Sequence, residues 1–324
     1  MKVYPFKFVP VLKEIIWGGS KLKSYYNKQT LSDSVGESWE LSGINDSVSI
    51  ISNGKFKGSS LTEILKINAV EIMGEGLAKK FGTEFPLLVK LIDAQKDLSV
   101  QVHPNDELAK KRHNSLGKTE MWYILQSEPG AKLVSGFKKN FSKEEYVRRI
   151  EDNTVEDALA YYMVKPGDAF FIPAGLVHAI GSGIVLAEIQ QSSNITYRIY
   201  DYNRKDKDGN PRQLHTQESI VAVDFATKGG PVVPSKIRDG VERVATCEYF
   251  TVQTIDLFTT KEYGKKDFQE INSFIILMCL EGEALLNCEK GIEKMIKGET
   301  VLVPFVLKNS LSISGNAKLL EAYI

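Results

Sequence analysis

Gly167-Asp168-Ala169-Phe170-Phe171-Ile172-Pro173 and Gly298-Glu299-Thr300-Val301-Leu302-Val303-Pro304 carry one pattern: a glycine, an acidic residue, an apolar run and a proline. The pattern reads as a turn feeding a short buried strand. Upstream, Trp122-Tyr123-Ile124-Leu125 leads to Gly130, and Phe274-Ile275-Ile276-Leu277 leads to Gly282 at the same spacing. The interval from Gly130 to Gly167 is 37 residues, and that from Gly282 to Gly298 is 16. The surplus falls on a charged stretch near 140–160 that reads as short helices. The chain is therefore expected to be two related β-modules with a small helical insertion in the first. The boundaries are set at 1–235 and 236–324. Aligned on the prolines, His178 faces Asn309; aligned on the glycines, Glu120 faces Asn272. The first module thus carries potential metal ligands at positions where the second does not.

The remaining segments agree with a mostly β chain. Leu87 to Ile92, Glu120 to Leu125, Ala169 to Ile172 and Ile184 to Ile189 read as strands between Gly, Pro, Asn and Asp punctuation. Many short strands with few helices indicate a sandwich or barrel. Helix signals are confined to Ser60-Leu61-Thr62-Glu63-Ile64, with Ser60 or Thr62 as N-cap, and to Asn140–Ala160, where Ser142 precedes an acidic first turn.

Lys+Arg and Asp+Glu balance at 41 each, so no basic excess points to nucleic acid, and any anion site must be built from a few placed residues. The N-terminal ten residues lack the uninterrupted apolar core of a signal peptide. No run approaches the roughly 20 apolar residues of a membrane span. Cys247, Cys279 and Cys288 have no metal-type spacing and are expected to be reduced thiols in a cytoplasmic protein.

The chain has four histidines. His103 sits in Gln101-Val102-His103-Pro104-Asn105-Asp106, where strand alternation puts Gln101 and His103 on one face. Glu120 opens a strand after Lys118-Thr119, and His178 follows Pro173-Ala174-Gly175-Leu176-Val177. Either histidine alone would be an ordinary hydrogen-bonded residue. Together, two imidazoles, a carboxylate and an amide oxygen suit a catalytic Zn²⁺ with a position left for water. His113, in a charged stretch, and His215 are read as non-ligands.

These segments resemble the signature segments of type I mannose-6-phosphate isomerase. Glu188-Ile189-Gln190-Gln191 through Tyr197-Arg198-Ile199-Tyr200-Asp201-Tyr202 resembles the segment that carries that family's active-site arginine. The similarity runs from Trp17-Gly18-Gly19 to the second module. It implies a cupin fold, two jelly-roll β-barrel modules with a few short helices, and one zinc per chain held by Gln101, His103, Glu120 and His178. It implies a hexose phosphate substrate, interconverted between mannose 6-phosphate and fructose 6-phosphate through a cis-enediol. With 57 residues between Glu120 and His178, the chain resembles the short bacterial form, in which a larger helical domain is reduced to a small insertion.

Such an isomerisation needs a base beside a carbonyl, a cation for the developing oxyanion, and a grip on the phosphate. Lys118 shares a strand face with Glu120. Lys90 is a charge inside an apolar strand, facing either a polar cavity or water. Arg198 alternates with Tyr197 and Ile199, which take the opposite face. Family position also places Lys90, Lys118 and Arg198 in the active site. Glu188 is a candidate base, or else an ion-pair partner of Arg198 or Lys118. Trp17 is expected to wall the sugar pocket or to be core. The segment Gly36-Glu37-Ser38-Trp39 fits a strand beside the pocket with no assigned role. Two other readings use the same metal site: a non-catalytic sugar-phosphate-binding cupin and a metal-dependent cupin oxygenase. Oligomeric state is not legible in the sequence.

Overall fold

The strands Leu87–Ala94 and Ile184–Gln191 are buried along their whole length, as their apolar runs require of strands covered on both faces. One face, carrying Ile92, Ile184 and Leu186, packs with Trp122, Phe170 and Leu133 inside the first module. The other, carrying Val89, Leu91, Ala187 and Ile189, packs on Val252, Ile276, Met278 and Leu320 of the second. A computed structural model describes residues 3–139, 142–205, 209–260 and 262–324 of the chain.

The protein is mostly β. A seven-stranded antiparallel sheet runs in the order Val11–Gly19, Val35–Leu41, Leu87–Ala94, Ile184–Gln191, Glu120–Ser127, Ala169–Ile172, Pro231–Val232. Facing it is a five-stranded sheet of Tyr197–Tyr200, Val100–Val102, His178–Ala179, Lys132–Phe137 and Leu159–Met163. The third sheet begins Ser235–Arg238, Val241–Thr246, Thr251–Asp256, Ser312–Tyr323, Ile275–Cys288, Thr300–Val303. It is extended by Phe6–Val9, which pairs with Thr300–Val303 and then with Ile50–Ile51. The N-terminal strand thus crosses the seam, and residues 1–235 and 236–324 share a sheet. Among the described strands the sheets face one another as open layers and do not close into hydrogen-bonded barrels.

The two modules repeat ladder by ladder. In the first, Gly167 N–H donates to Ile124 O at 2.9 Å and Ile124 N–H to Asp168 O at 2.9 Å; in the second, Gly298 N–H donates to Cys279 O at 2.8 Å and Cys279 N–H to Glu299 O at 2.9 Å. Each acidic side chain closes its own turn, Asp168 accepting from Lys165 N–H and Glu299 from Ile296 N–H. Both glycines have positive φ, 93° and 88°, which favours glycine over any other residue. Irregularities repeat as well. The register shift between Val185 and Leu186 recurs between Cys279 and Glu281, and that between Trp39 and Leu41 recurs between Arg243 and Ala245.

This register corrects the glycine-based alignment. Glu120 pairs with Ile172, and the matching pair in the second module is Ile275 with Val303. The counterpart of Glu120 is therefore Ile275, three residues beyond Asn272. The reason is that Gly130 lies in a turn between strands, whereas Gly282 lies inside the long strand Ile275–Cys288.

Helix Leu61–Met73 starts at Ser60, whose side chain accepts from Glu63 N–H while the Glu63 carboxylate accepts from Ser60 N–H, a reciprocal cap. In the insertion, Ser142 caps Lys143–Glu151, a 3₁₀ turn spans Val155–Ala158, and the chain is already a strand by Leu159. Asn140 and Phe141 lie outside the described residues. Asp106–His113 is a further helix, capped by Asn105, where the sequence reading saw only a charged stretch. Among the described residues no helix is long and apolar enough to cross a membrane.

Candidate functional site

Glu120 opens its strand in the seven-stranded sheet; Gln101 and His178 lie in the facing sheet, and His103 directly follows its strand Val100–Val102. Gln101 and His178 pair directly across the ladder. His103, Glu120 and His178 are fully buried and bring one ligand atom each within 4.8 Å of the others. The two Nε2 atoms lie 3.1 Å apart. Glu120 oxygens are 3.4 Å from His103 Nε2 and 3.5 Å from His178 Nε2.

Protonation in this cluster follows from burial and neighbours. The His178 Nδ1 is 2.8 Å from Leu176 O, which only accepts, so Nδ1 carries the proton and Nε2 turns its lone pair inward. Burial, joined by the charge of Lys118, pushes His103 down to about 3; burial pushes His178 down as well. Burial would raise Glu120, but the charge of Lys118 opposes it and holds its carboxyl below the usual range. The centre thus combines neutral imidazoles with an ionised carboxylate. Lys118 Nζ sits 3.0 Å from His103 Nε2 and 3.1 Å from Glu120 Oε2, while neither Glu120 oxygen meets hydrogen-bond geometry with any described residue. Imidazole nitrogens and carboxylate oxygens converging in a buried site, with more acceptor capacity than Lys118 can meet, are what a metal cation satisfies.

Trp17, Lys90, Gln101, Lys118, Glu188 and Arg198 all line one cavity of about 300 Å³. Lys90 is buried and faces it. Its Nζ pairs with Glu188 Oε2 at 2.8 Å and approaches Glu37 Oε2 at 3.7 Å. Burial would depress the Lys90 ammonium, but Glu188 and Glu37 outweigh it and hold its pKa above the ordinary value. Glu188 is paired with Lys90, not with Arg198 or Lys118, and accepts from Trp122 Nε1 at 2.9 Å. Burial and the charge of Glu120 keep its carboxyl above the usual range despite Lys90. Trp17 is both core and wall, packing with Ile92 while lining the cavity.

The structure adds wall residues that the sequence reading left without a role. Glu37 and Trp39 alternate inward on Val35–Leu41, with Trp39 Nε1 donating to Glu37 Oε2 at 2.6 Å. Ser99 and Arg212 also line the cavity, and Arg212 Nε is held by Asp201 Oδ2 at 2.7 Å. Glu37-x-Trp39 alternation was a usable signal; Arg212 sits in a polar connection that offers none. His113 and His215 stand apart from the cluster, His113 against Tyr197 Oη and His215 against the Arg198 backbone. A larger cavity, about 430 Å³, opens at the module seam, where Lys28 and Lys7 are already paired with Glu40 and Glu299.

Residues 6–129 match the family described as phosphomannose isomerase type I, catalytic domain, and residues 241–324 match the mannose-6-phosphate isomerase cupin domain. Mannose-6-phosphate isomerase ManA of Bacillus subtilis is 35% identical over the full length of both chains. The chain belongs to the type I phosphomannose isomerase family. The crystal structure of the mannose 6-phosphate isomerase from Bacillus subtilis, 33% identical, aligns with a TM-score of 0.86 over 99% of this chain and 100% of that one. A mannose 6-phosphate isomerase bound with zinc and yttrium, 18% identical, shares the fold with a TM-score of 0.77 over 99% of each chain. This phosphomannose isomerase family member is an enzyme with a cupin fold, and its histidine–glutamate cluster lies beside the cavity that Lys90, Lys118 and Arg198 line.

Proposed function

We propose that the chain interconverts mannose 6-phosphate and fructose 6-phosphate through a cis-enediol, with one zinc ion held by Gln101, His103, Glu120 and His178. The observation that carries this reading is the convergence of two lone-pair-bearing imidazoles and an ionised, buried carboxylate beside a cavity walled by Lys90, Lys118 and Arg198. Neutral imidazole and carboxylate donors fit zinc, and the zinc carried by a distant structural neighbour agrees with it. Gln101 pairs with His178 across the ladder and lines the cavity, which suits a fourth ligand.

A bound zinc ion supplies a Lewis acid that polarises the sugar carbonyl. The remaining work falls to side chains. Isomerisation takes a proton from C2 of the aldose and returns one to C1, while a proton passes between O1 and O2. Glu188 serves as the base: Lys90 and Trp122 fix both of its oxygens, and burial brings its pKa toward the range where a carboxylate can take and return a proton. Lys118, beside the cluster, stabilises negative charge developing on O1 and O2. Arg198, with Lys90, meets the remaining charge of the substrate, and Trp17 walls the sugar. In this reading residues 1–235 perform the chemistry and residues 236–324 support it across the seam.

A coupled assay of fructose 6-phosphate formation, run before and after chelation, tests the proposal. Turnover that chelation removes and zinc restores supports it. A metal-loaded protein without turnover would favour a sugar-phosphate-binding cupin or a metal-dependent oxygenase.

A further inference from the structure

Arg198 lies on the edge strand of the five-stranded sheet, with Val100–Val102 on one side. Its free edge is held by a connection that the proposed chemistry does not use. Arg198 N–H donates to His215 Nδ1 at 3.1 Å, and His215 N–H donates to Arg198 O at 2.8 Å. Two residues earlier, Gln213 O accepts from Arg198 Nη1 at 2.8 Å. Residues 213–215 therefore grip both the backbone and the guanidinium of one arginine. The Arg198 Nε is buried and has no hydrogen-bond partner among the described residues. His215 precedes the helix Thr216–Ala222, but its side chain makes no capping bond there. The imidazole is given to Arg198 instead.

We infer that His215 is the positioning residue for Arg198: its Nδ1 accepts the Arg198 amide proton and sets the direction in which the guanidinium enters the cavity. The inference rests on the isomerase reading, in which Arg198 binds substrate charge. An imidazole whose Nδ1 accepts carries its proton on Nε2 and is neutral. An imidazolium has no acceptor and would set N–H against N–H. The charged groups acting on His215 are Arg198 from the strand and Glu218 from its own helix. The Tyr197 ring lies 6.1 Å away, with His113 on that tyrosine's hydroxyl. Burial, then the charge of Arg198, push His215 below its ordinary value, which keeps the acceptor available at neutral pH.

His215→Ala removes the acceptor. His215→Asn keeps an oxygen near the Nδ1 position and cannot titrate, and His215→Gln carries its oxygen elsewhere. Steady-state kinetics with mannose 6-phosphate should show KM raised roughly tenfold in the Ala and Gln variants, with kcat less affected and zinc content unchanged. The Asn variant should recover to within about threefold and lack the rise in KM in acid expected of the native enzyme. Hydrogen exchange of the peptide containing the Arg198 amide gives a readout free of activity: faster in Ala, native-like in Asn. An unchanged KM in Ala, or an Asn variant no better than Ala, would overturn the inference. If the native protein fails to turn over mannose 6-phosphate, the isomerase reading falls, and the exchange comparison still decides whether His215 holds Arg198.

Discussion

Glu321 occupies in the second module the position that Glu188 occupies in the first. Glu188 pairs across the ladder with Lys90 on one side and Trp122 on the other; Glu321 pairs with Gln253 and Leu277. The carboxyl is retained and the lysine is replaced by an amide. Gln253 Nε2 and Tyr263 Oη both donate to Glu321, but burial without a cation pushes its carboxyl up to about 7.

That difference has a consequence for stability. A carboxyl raised from about 4.5 to about 7 on folding contributes fully in acid, where it is protonated in both states, and its contribution is lost as pH rises through about 7. Glu321→Gln should therefore be more stable than the native protein at pH 8, by up to about 3 kcal/mol, and close to it at pH 5. Urea unfolding at the two pH values checks this; an equal difference at both would contradict it.

The reciprocal change is Lys90→Gln, which gives the first module the pairing of the second. Glu188 would lose the cation that restrains its upward shift. We expect kcat to fall by about 10²-fold or more, and the acid limb of the kcat/KM profile to move to higher pH. A limb that stays in place would remove Glu188 from the titrating step.

Metal retention and turnover should separate at neighbouring residues. His178→Ala is expected to release most of the zinc and abolish activity while circular dichroism stays native. Lys118→Ala should keep the metal and lose about 10²-fold or more in kcat, because Lys118 touches the cluster without being one of its lone-pair donors. Metal analysis alongside kinetics decides both; activity retained in His178→Ala would refute the ligand assignment.

Gly36→Ala tests the wall of the cavity. A Cβ at Gly36 would lie 2.5 Å from Trp17 Cζ3, so the indole must move. Trp17 is closely packed, and overpacking of this kind costs about 1–3 kcal/mol. Thermal melts should show the loss and kinetics a raised KM; a variant unchanged in both would mean that Trp17 yields freely.

The sequence by itself determined the modular β architecture and the cluster of potential ligands. Periodicity and turn glycines are local, so the paired Gly167 and Gly298 turns and the Ser60 cap could be read from nearest neighbours. It did not determine register. Alignment on the glycines displaces the counterpart of Glu120 by three residues, because a positive-φ glycine marks a bend whether it ends a strand or lies within one. Tertiary structure alone decided that Phe6–Val9 crosses to the second module's sheet, that Glu188 pairs with Lys90, and that His215 grips Arg198. These are contacts between residues far apart in sequence or across a ladder. They depend on which side chains the sheets bury together, and burial also sets the protonation of the groups that would do the chemistry.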